Sequence, residues 1–258
     1  MLSRALFGAG LSLLVVIGAR ITRTLSARGA FAAALIGMLA VAAGWSWGLL
    51  LLSLFISASG LSKLGERKKT ERIGSIIETG GMRAASQVLA NGGVFAGAAL
   101  GQILLPSPIW FALAAGGLAA SAADTWATEV GTLAAGEPVS IISRKRVPAG
   151  TSGGISFVGT VAGVAGALFI AVMATLARWP VAFTSITLGG VGGALADSVL
   201  GGTLQARRWC DVCAMSTERR VHNCGTTTRP AGGLAGFDND LVNAVCSGVG
   251  ALVALLLS

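Results

Sequence analysis

The sequence has little charge and few acids. Of its 258 residues only 12% are Asp, Glu, Lys or Arg, against about 25% in a soluble globular domain. Half the usual polar surface is therefore missing. Four cysteines are too few for a disulfide scaffold, and there is one histidine. Low charge combined with 53% hydrophobic residues and a mean hydropathy of +0.77 excludes an ordinary cytosolic globule and a disordered chain. Glycine is abundant, at 38 residues, and small residues let membrane helices approach closely. These features point to an integral membrane protein of tightly packed helices.

Acids are outnumbered, 11 against 19 Lys and Arg, for a net charge of +8. In a soluble protein that excess would point to nucleic acid. Here its distribution matters more. Eight apolar segments are near the length that crosses a bilayer: Ala5–Ala19, Gly29–Trp45, Trp47–Leu61, Val88–Leu105, Ile109–Ala123, Ile155–Ala177, Val181–Ala196 and Leu241–Leu257. Seventeen of the 19 basic residues fall in the odd-numbered connections, and only Arg4 and Arg178 fall on the other side. The positive-inside rule then puts the odd connections in the cytoplasm and both termini outside. The acids follow: Glu66, Glu71, Glu78, Glu137, Asp211 and Glu218 lie in odd connections, and Asp124, Glu129, Asp197, Asp238 and Asp240 lie where a span meets one. The expected fold is an all-α polytopic bundle of about eight transmembrane helices. It forms one membrane domain over residues 1–258, in the cell membrane, with its chemistry at the cytoplasmic face. The basic residues are orientation signals, so no nucleic-acid partner is expected. The run from Lys63 to Arg72 is read as a surface facing anionic lipid. No small-x-small site precedes Arg20, so the first segment is read as a retained anchor rather than a cleaved signal.

An internal repeat marks two acids. Gly116, Gly117, Ala123, Asp124 and Thr125 match Gly189, Gly190, Ala196, Asp197 and Ser198 at one constant offset of 73 residues. Both copies run toward the cytoplasm, which makes a parallel repeat. Each Asp sits at the rim of its span, where a solvated helix end is the simpler explanation. Glu129, about a turn beyond Asp124, favours a functional one. Gathered carboxylates suit Mg²⁺, a hard cation that bridges phosphates. Asp238, Asn239, Asp240 and Asn243 open the last span, more polar groups than a helix cap requires.

Two glycine-rich segments supply the complement. Gly150, Thr151, Ser152, Gly153 and Gly154 follow the basic run Arg144–Arg146 and precede a helix, a pattern that lets backbone N–H groups close on phosphate. The stretch from Gly80 through Arg83 and Gln87 to Asn91 brings a guanidinium and two amides to another helix entrance. Cys210, Cys213, His222 and Cys224 place four metal ligands within 15 residues, in a cytoplasmic Cys/His loop over residues 205–236. That spacing suits a structural, tetrahedral Zn²⁺. A reducing cytoplasm disfavours a disulfide there. Cys246 lies within the last span as a small core residue.

Five stretches, read together, resemble one integral-membrane family, which includes the plant phytyl-phosphate kinase of tocopherol synthesis and the animal transmembrane protein 19. They are Gln87–Gly93, Ala123–Gly131, Val147–Gly154, Asp197–Gly201 with Leu204 and Gln205, and Asp238–Asp240 with Val242 and Asn243. The resemblance implies phosphorylation of an isoprenyl monophosphate to its diphosphate, with CTP or ATP as donor. A phosphate acceptor is already a nucleophile, and no Ser/His/Asp constellation is evident. What is needed is alignment and charge neutralisation. The expected roles are Asp124, Glu129 and Asp197 on Mg²⁺, with Asp238 and Asp240 as further ligands. Lys145, Arg146, Arg83 and the Gly150–Gly154 loop take the phosphates, and Asn91, Ser198, Asn239 and Asn243 lie around them. An apolar groove takes the prenyl tail, and membrane lipids surround the bundle. The alternatives are a polyprenol kinase or a cytidylyltransferase on lipid phosphates and, from another class, a transporter.

Overall fold

The computed structural model describes residues 2–77 and 81–258. The expectations placed on Glu78 and Gly80 fall outside the described residues, as does the side chain of Arg4. The chain is mostly helical, and each of the eight apolar segments forms a helix. In order these are α1 (Leu2–Ile21), α2 (Ala27–Ala43) and α3 (Trp45–Lys63), then after a short α4 (Glu66–Ile73), α5 (Ala85–Leu104), α6 (Ile109–Gly131), α7 (Phe157–Leu176), α8 (Phe183–Thr203) and α9 (Asn239–Leu256). Among the described residues, α3, α5, α7, α8 and α9 are long and apolar enough to cross a membrane.

Two boundaries differ from expectation in a way that matters. α6 and α8 do not stop at their acids but continue for about two turns, so Asp124 and Asp197 lie inside helices rather than at their ends. Hydropathy falls at the first carboxylate, but backbone hydrogen bonding continues past it. The strictly all-α expectation is also corrected, because five short strands form outside the helices. β1 (Val139–Ser140) pairs with β2 (Gly154–Ile155), and β3 (Arg207–Cys210) lies between β4 (Met215–Thr217) and β5 (Arg229–Gly232), all antiparallel. Strands of two to four residues leave no alternating pattern long enough to read.

α6 is the hub of the bundle. It packs on α3, α5, α7, α8 and α9, and Ala114 through Ala123 are buried. The end of the bundle away from Asp124 is closed by aromatics. The Trp47 ring centroid lies 5.5 Å from Phe95, 5.1 Å from Phe111 and 4.8 Å from Trp179. Along α6, Phe111 and Asp124 are about 20 Å apart.

The 73-residue repeat is reproduced in space. Gly116 and Gly189, equivalent in the repeat, both contact α9 at the Gly250 carbonyl and Ala254. Further along, Gly117 faces the Ser247 carbonyl and Gly193 the Cys246 carbonyl. Both helices thus run antiparallel to α9 and parallel to each other. A Cβ on Gly250 would lie 2.5 Å from Ala120 Cβ, 2.7 Å from the Gly116 carbonyl and 3.0 Å from the Gly189 carbonyl. Three backbones meet at that point, and no side chain fits between them. Ser121 and Ser247 share a hydrogen bond of 2.8 Å between α6 and α9, and whichever of them accepts it donates on to a carbonyl of α5, Ser121 to Asn91 or Ser247 to Ala90.

Overpacking of this kind costs about 1–3 kcal/mol. Gly250→Ala should therefore lower the melting temperature of the detergent-solubilised protein. Gly248→Ala, where a Cβ meets nothing within 4 Å, should not. Equal melting of the two variants would refute the three-backbone contact.

Candidate functional site

Because α6 and α8 run parallel and touch α9 at the same level, Asp124 and Asp197 come out side by side. Their carboxyl groups face each other closely enough to share a hydrogen bond. Asp197 Oδ1 is buried without a partner. Two facing carboxylates cannot both remain charged without a cation or a proton between them, and the orphaned oxygen is open to one.

Both acids line a cavity of about 2450 Å³. One part of its wall is apolar, built by α1, α2, α3 and α5 with Val16, Ile36, Val41, Leu52, Phe55 and Val88. The polar part carries most of the residues expected from sequence: Arg83, Asn91, Glu129, the Gly150–Gly154 loop, Ser198, Asp238, Asn239, Asp240 and Asn243. Several of these are already engaged. Asp238 caps α9, accepting from the Leu241 N–H at 3.1 Å. Gln87 caps α5 by accepting from the Ala84 N–H at 2.9 Å. Asn91 donates to the Gln87 carbonyl at 3.0 Å, and Ser198 to the Ala194 carbonyl at 3.2 Å.

Glu129 is engaged as well. Its two oxygens take Lys69 Nζ at 2.5 Å and Ser62 Oγ at 2.5 Å, and Ser62 Oγ in turn accepts from Arg83 at 3.0 Å. Burial lowers the Arg83 pKa, and the Glu129 charge pushes it back up. This corrects the reading of Lys63–Arg72 as a lipid-facing surface. Lys69 is only 4% exposed. Lys68 donates to the Leu133 carbonyl at 3.2 Å, and Arg72 donates to carbonyls of Thr132, Ala134 and Gly136. Just past the end of α6 the carbonyls from Thr132 to Gly136 need donors, which α4 supplies.

Lys145 and Arg146, expected on phosphate, do not line the cavity. The β1–β2 hairpin turns tightly, with the Ser140 N–H donating to the Lys145 carbonyl at 2.9 Å, and leaves Arg144, Lys145 and Arg146 exposed at its tip. The basic residues that do line the cavity include Lys63, Lys69, Arg207, Arg208, Arg219 and Arg220. Sequence reasoning assigned these to membrane orientation. Only the amphipathic spacing of Lys69 and Ile73, four apart on α4, hinted at a buried lysine.

The Cys/His segment folds as a small sheet against the cavity mouth. The ligand atoms of Cys210, Cys213, His222 and Cys224 all lie within 4.8 Å of one another, so this cluster could bind a metal. Cys210 Sγ is 3.6 Å and His222 Nδ1 3.3 Å from Cys224 Sγ. Hydrogen bonding with Thr226 and His222 lowers the Cys224 thiol to about 6, while Cys213, hydrogen-bonded to Cys224, is pushed up to about 11. The chain between Cys213 and His222 is the part that docks. Thr217 Oγ1 donates to the Ser75 and Ile76 carbonyls, both at 2.9 Å, and the Glu218 N–H donates to Ile76 at 2.8 Å. Arg219 and Asn223 each donate to the Gly74 carbonyl at 3.1 Å. The Glu218 carboxylate accepts from Ser152 of the glycine loop. Burial raises the pKa of Glu218, and hydrogen bonds with Ser152 and Gln205 draw it back down.

Fold and site together define a multi-pass helical membrane protein with an amphiphilic cavity, a facing carboxylate pair and a small Cys/His segment that could hold a metal. The chain belongs to the family described as integral membrane protein DUF92, which it matches over residues 10–251. It is 29% identical to Protein PGR of Arabidopsis thaliana over 94% of this chain and 92% of that one. It is 31% identical to an uncharacterized membrane protein of Methanocaldococcus jannaschii, over 64% of this chain and 67% of the relative. A further such protein, from Synechocystis, is 30% identical over 65% of this chain and 66% of the relative. No solved structure matches.

Breaking a buried ion pair from one side costs about 3 kcal/mol or more. Lys69→Met should lose stability on that scale in thermal or denaturant unfolding, and adding Glu129→Gln should restore most of it. A Lys69→Met protein as stable as the wild type would show that the pair does not hold α4 to α6.

Proposed function

We propose that the protein is a membrane kinase that converts an isoprenyl monophosphate to its diphosphate, with a nucleoside triphosphate as donor. The observation that supports this is the cavity itself, apolar along one wall and lined at its polar end by facing carboxylates and several cations. An amphiphile with an anionic head matches both parts. The motif resemblance over Gln87–Asn243 supplies the substrate class. In keeping with the charge distribution, the reading includes eight membrane crossings in the cell membrane, both termini outside and the cavity mouth on the cytoplasmic side.

In the reaction, an oxygen of the lipid monophosphate attacks the terminal phosphorus of the donor. The new P–O bond forms as the bond from that phosphorus to its bridging oxygen breaks, and the nucleoside diphosphate leaves with the electron pair. No side chain has to remove a proton from the acceptor, so the protein's task is to position and neutralise. Arg83 and the Gly150–Gly154 loop bind phosphate, and the apolar wall holds the prenyl chain. Asp124 and Asp197, facing each other with Oδ1 of Asp197 unpartnered, fit Mg²⁺ as hard oxygen donors, with Asp240 a further oxygen donor on the same wall. When bound, that ion neutralises charge on the transferring group. Glu129 instead holds Lys69.

For the Cys/His cluster the reading is structural Zn²⁺. Tetrahedral zinc with its usual bond lengths has S···S edges of about 3.8 Å and N···S edges of about 3.5 Å, close to the 3.6 and 3.3 Å found. Four protein ligands close the shell, so this metal has no place for substrate.

The test is incubation of purified protein with prenyl monophosphates, Mg²⁺ and either CTP or ATP. Diphosphate is expected, and Asp197→Asn should reduce turnover by about 10²–10³-fold. The same substitution removes one of the two carboxylates, so it should abolish stabilisation by Mg²⁺ in thermal unfolding. Full turnover in a folded Asp197→Asn protein would sink the assignment. Product only from free prenyl alcohol, or solute flux in proteoliposomes without nucleotide, would turn the reading to a polyprenol kinase or a transporter.

Zinc predicts a separate outcome. Metal analysis should return one equivalent, and chelation should speed amide exchange at residues 74–76 and 147–155, which the segment between Cys213 and His222 clamps. Less than half an equivalent in the purified protein would reject it.

A further inference from the structure

Four arginines of the Cys/His segment line the cavity: Arg207, Arg208, Arg219 and Arg220. They divide into two kinds. Arg208 donates through Nε to Thr228 Oγ1 at 2.7 Å and also to the Thr228 carbonyl, and Arg219 donates to the carbonyls of Gly74 and Val221. These two are structural. Arg207 and Arg220 are exposed and donate to no described group. Arg208 is tied to Thr228 beside the sheet, and Arg207, at the irregular step of the β3–β5 pairing, is left exposed.

The two free arginines lie close in sequence to one polar node. Arg220 is two residues from Glu218, which accepts from Ser152 and interacts with Gln205. Arg207 is two residues from that same Gln205. The node joins the segment to the glycine loop, where the backbone N–H groups of Ser152 and Gly153 also donate to no described group. Gly153 has φ +77°, and its close approach to Gly202 and the Ser198 carbonyl leaves no room for a Cβ. Unpaired N–H groups around a left-handed residue form a concavity for anions. Guanidinium groups favour phosphate oxygens because their planar fork matches them. The apolar lining of the cavity comes instead from α1, α2, α3 and α5, and Lys63, which ends α3, lines the cavity with no partner among the described residues.

We infer that the Cys/His segment is the polyphosphate wall of the cavity: Arg207, Arg220 and the Ser152–Gly153 amides bind the soluble nucleoside triphosphate, while Lys63 binds the phosphate of the lipid. This deepens the kinase reading and rests on it. Arg207 opens β3 and Arg220 lies between Cys213 and His222, so both are carried by the Cys/His segment rather than by the helices of the apolar wall.

The test uses the full-length, metal-loaded protein in detergent. Binding of ATP, of CTP and of phytyl monophosphate is measured separately by calorimetry, and product formation is followed in parallel. R207Q/R220Q should weaken nucleotide binding by about tenfold or more, leave phytyl monophosphate affinity unchanged and retain its metal. K63Q should do the reverse. R207K/R220K, which keeps the charge without the fork, should recover only part of the nucleotide affinity. The proposal is overturned if R207Q/R220Q keeps wild-type nucleotide affinity, or if it loses lipid-phosphate affinity to the same extent. A wild type that binds nucleotide through Arg207 and Arg220 but makes no diphosphate supports the site and ends the kinase reading. A wild type that makes diphosphate while R207Q/R220Q keeps its KM for nucleotide ends the site and leaves the kinase reading standing.

Discussion

The backbones of α6, α8 and α9 touch at Gly250, and the rest of the molecule is arranged around that contact. Membrane helices have no hydrophobic drive to associate with one another, so they associate by close fit and by hydrogen bonds. Here the fit depends on hydrogen atoms in place of side chains at Gly116, Gly189, Gly193 and Gly250. Because Gly116 and Gly189 meet the same carbonyl, α6 and α8 are locked at one height. Their acids, each eight residues further on, then have to face one another. The carboxylate pair is thus a consequence of packing two turns away. Any slip of one helix by a turn would separate the acids by about 5 Å.

Much of this was legible in the sequence, for a physical reason. Apolar runs, charge asymmetry and repeated small residues are direct imprints of the bilayer and of helix contact, so the eight helices and the Asp124/Asp197 correspondence could be read residue by residue. The roles of the basic residues could not be read in the same way. Lys145 and Lys69 look alike in a cytoplasmic connection. One stands at the tip of a hairpin, and the other is buried against Glu129, 60 residues away in sequence. Partners that distant leave no local pattern. The strands at Arg207–Cys210 and Met215–Thr217 are hidden for a related reason. They are too short for alternation to register, and the Cys/His cluster and hydrogen bonds to Ser75 and Ile76 hold them in place.

The Cys/His segment therefore does more than close a loop. It is anchored on the residues just after α4, through Gly74, Ser75 and Ile76, and it reaches the glycine loop through Glu218. α4 in turn ties down the segment just past α6 and holds Glu129. The extramembrane pieces form one connected set of contacts, which runs from the Cys/His cluster to the helix that carries Asp124. A cavity formed only by membrane helices would lack a rigid polar rim, and this chain of contacts supplies one.

The acids around the cavity are not equivalent, and their differences sort them by role. Glu129 has a buried lysine and a serine on its two oxygens, and Glu218 has Ser152 and Gln205. Asp238 caps a helix. Each of these is satisfied within the protein. Asp124 and Asp197 are engaged only with each other among the described residues. One oxygen of the pair, Asp197 Oδ1, is left without a partner, and Asp240 on the same wall has none among the described residues. The same reasoning separates the arginines: Arg208 and Arg219 hold backbone, while Arg207 and Arg220 hold nothing. Both unpaired sets, the acidic and the basic, line one cavity. A phosphorylated ligand with a bridging metal ion would complete both at once.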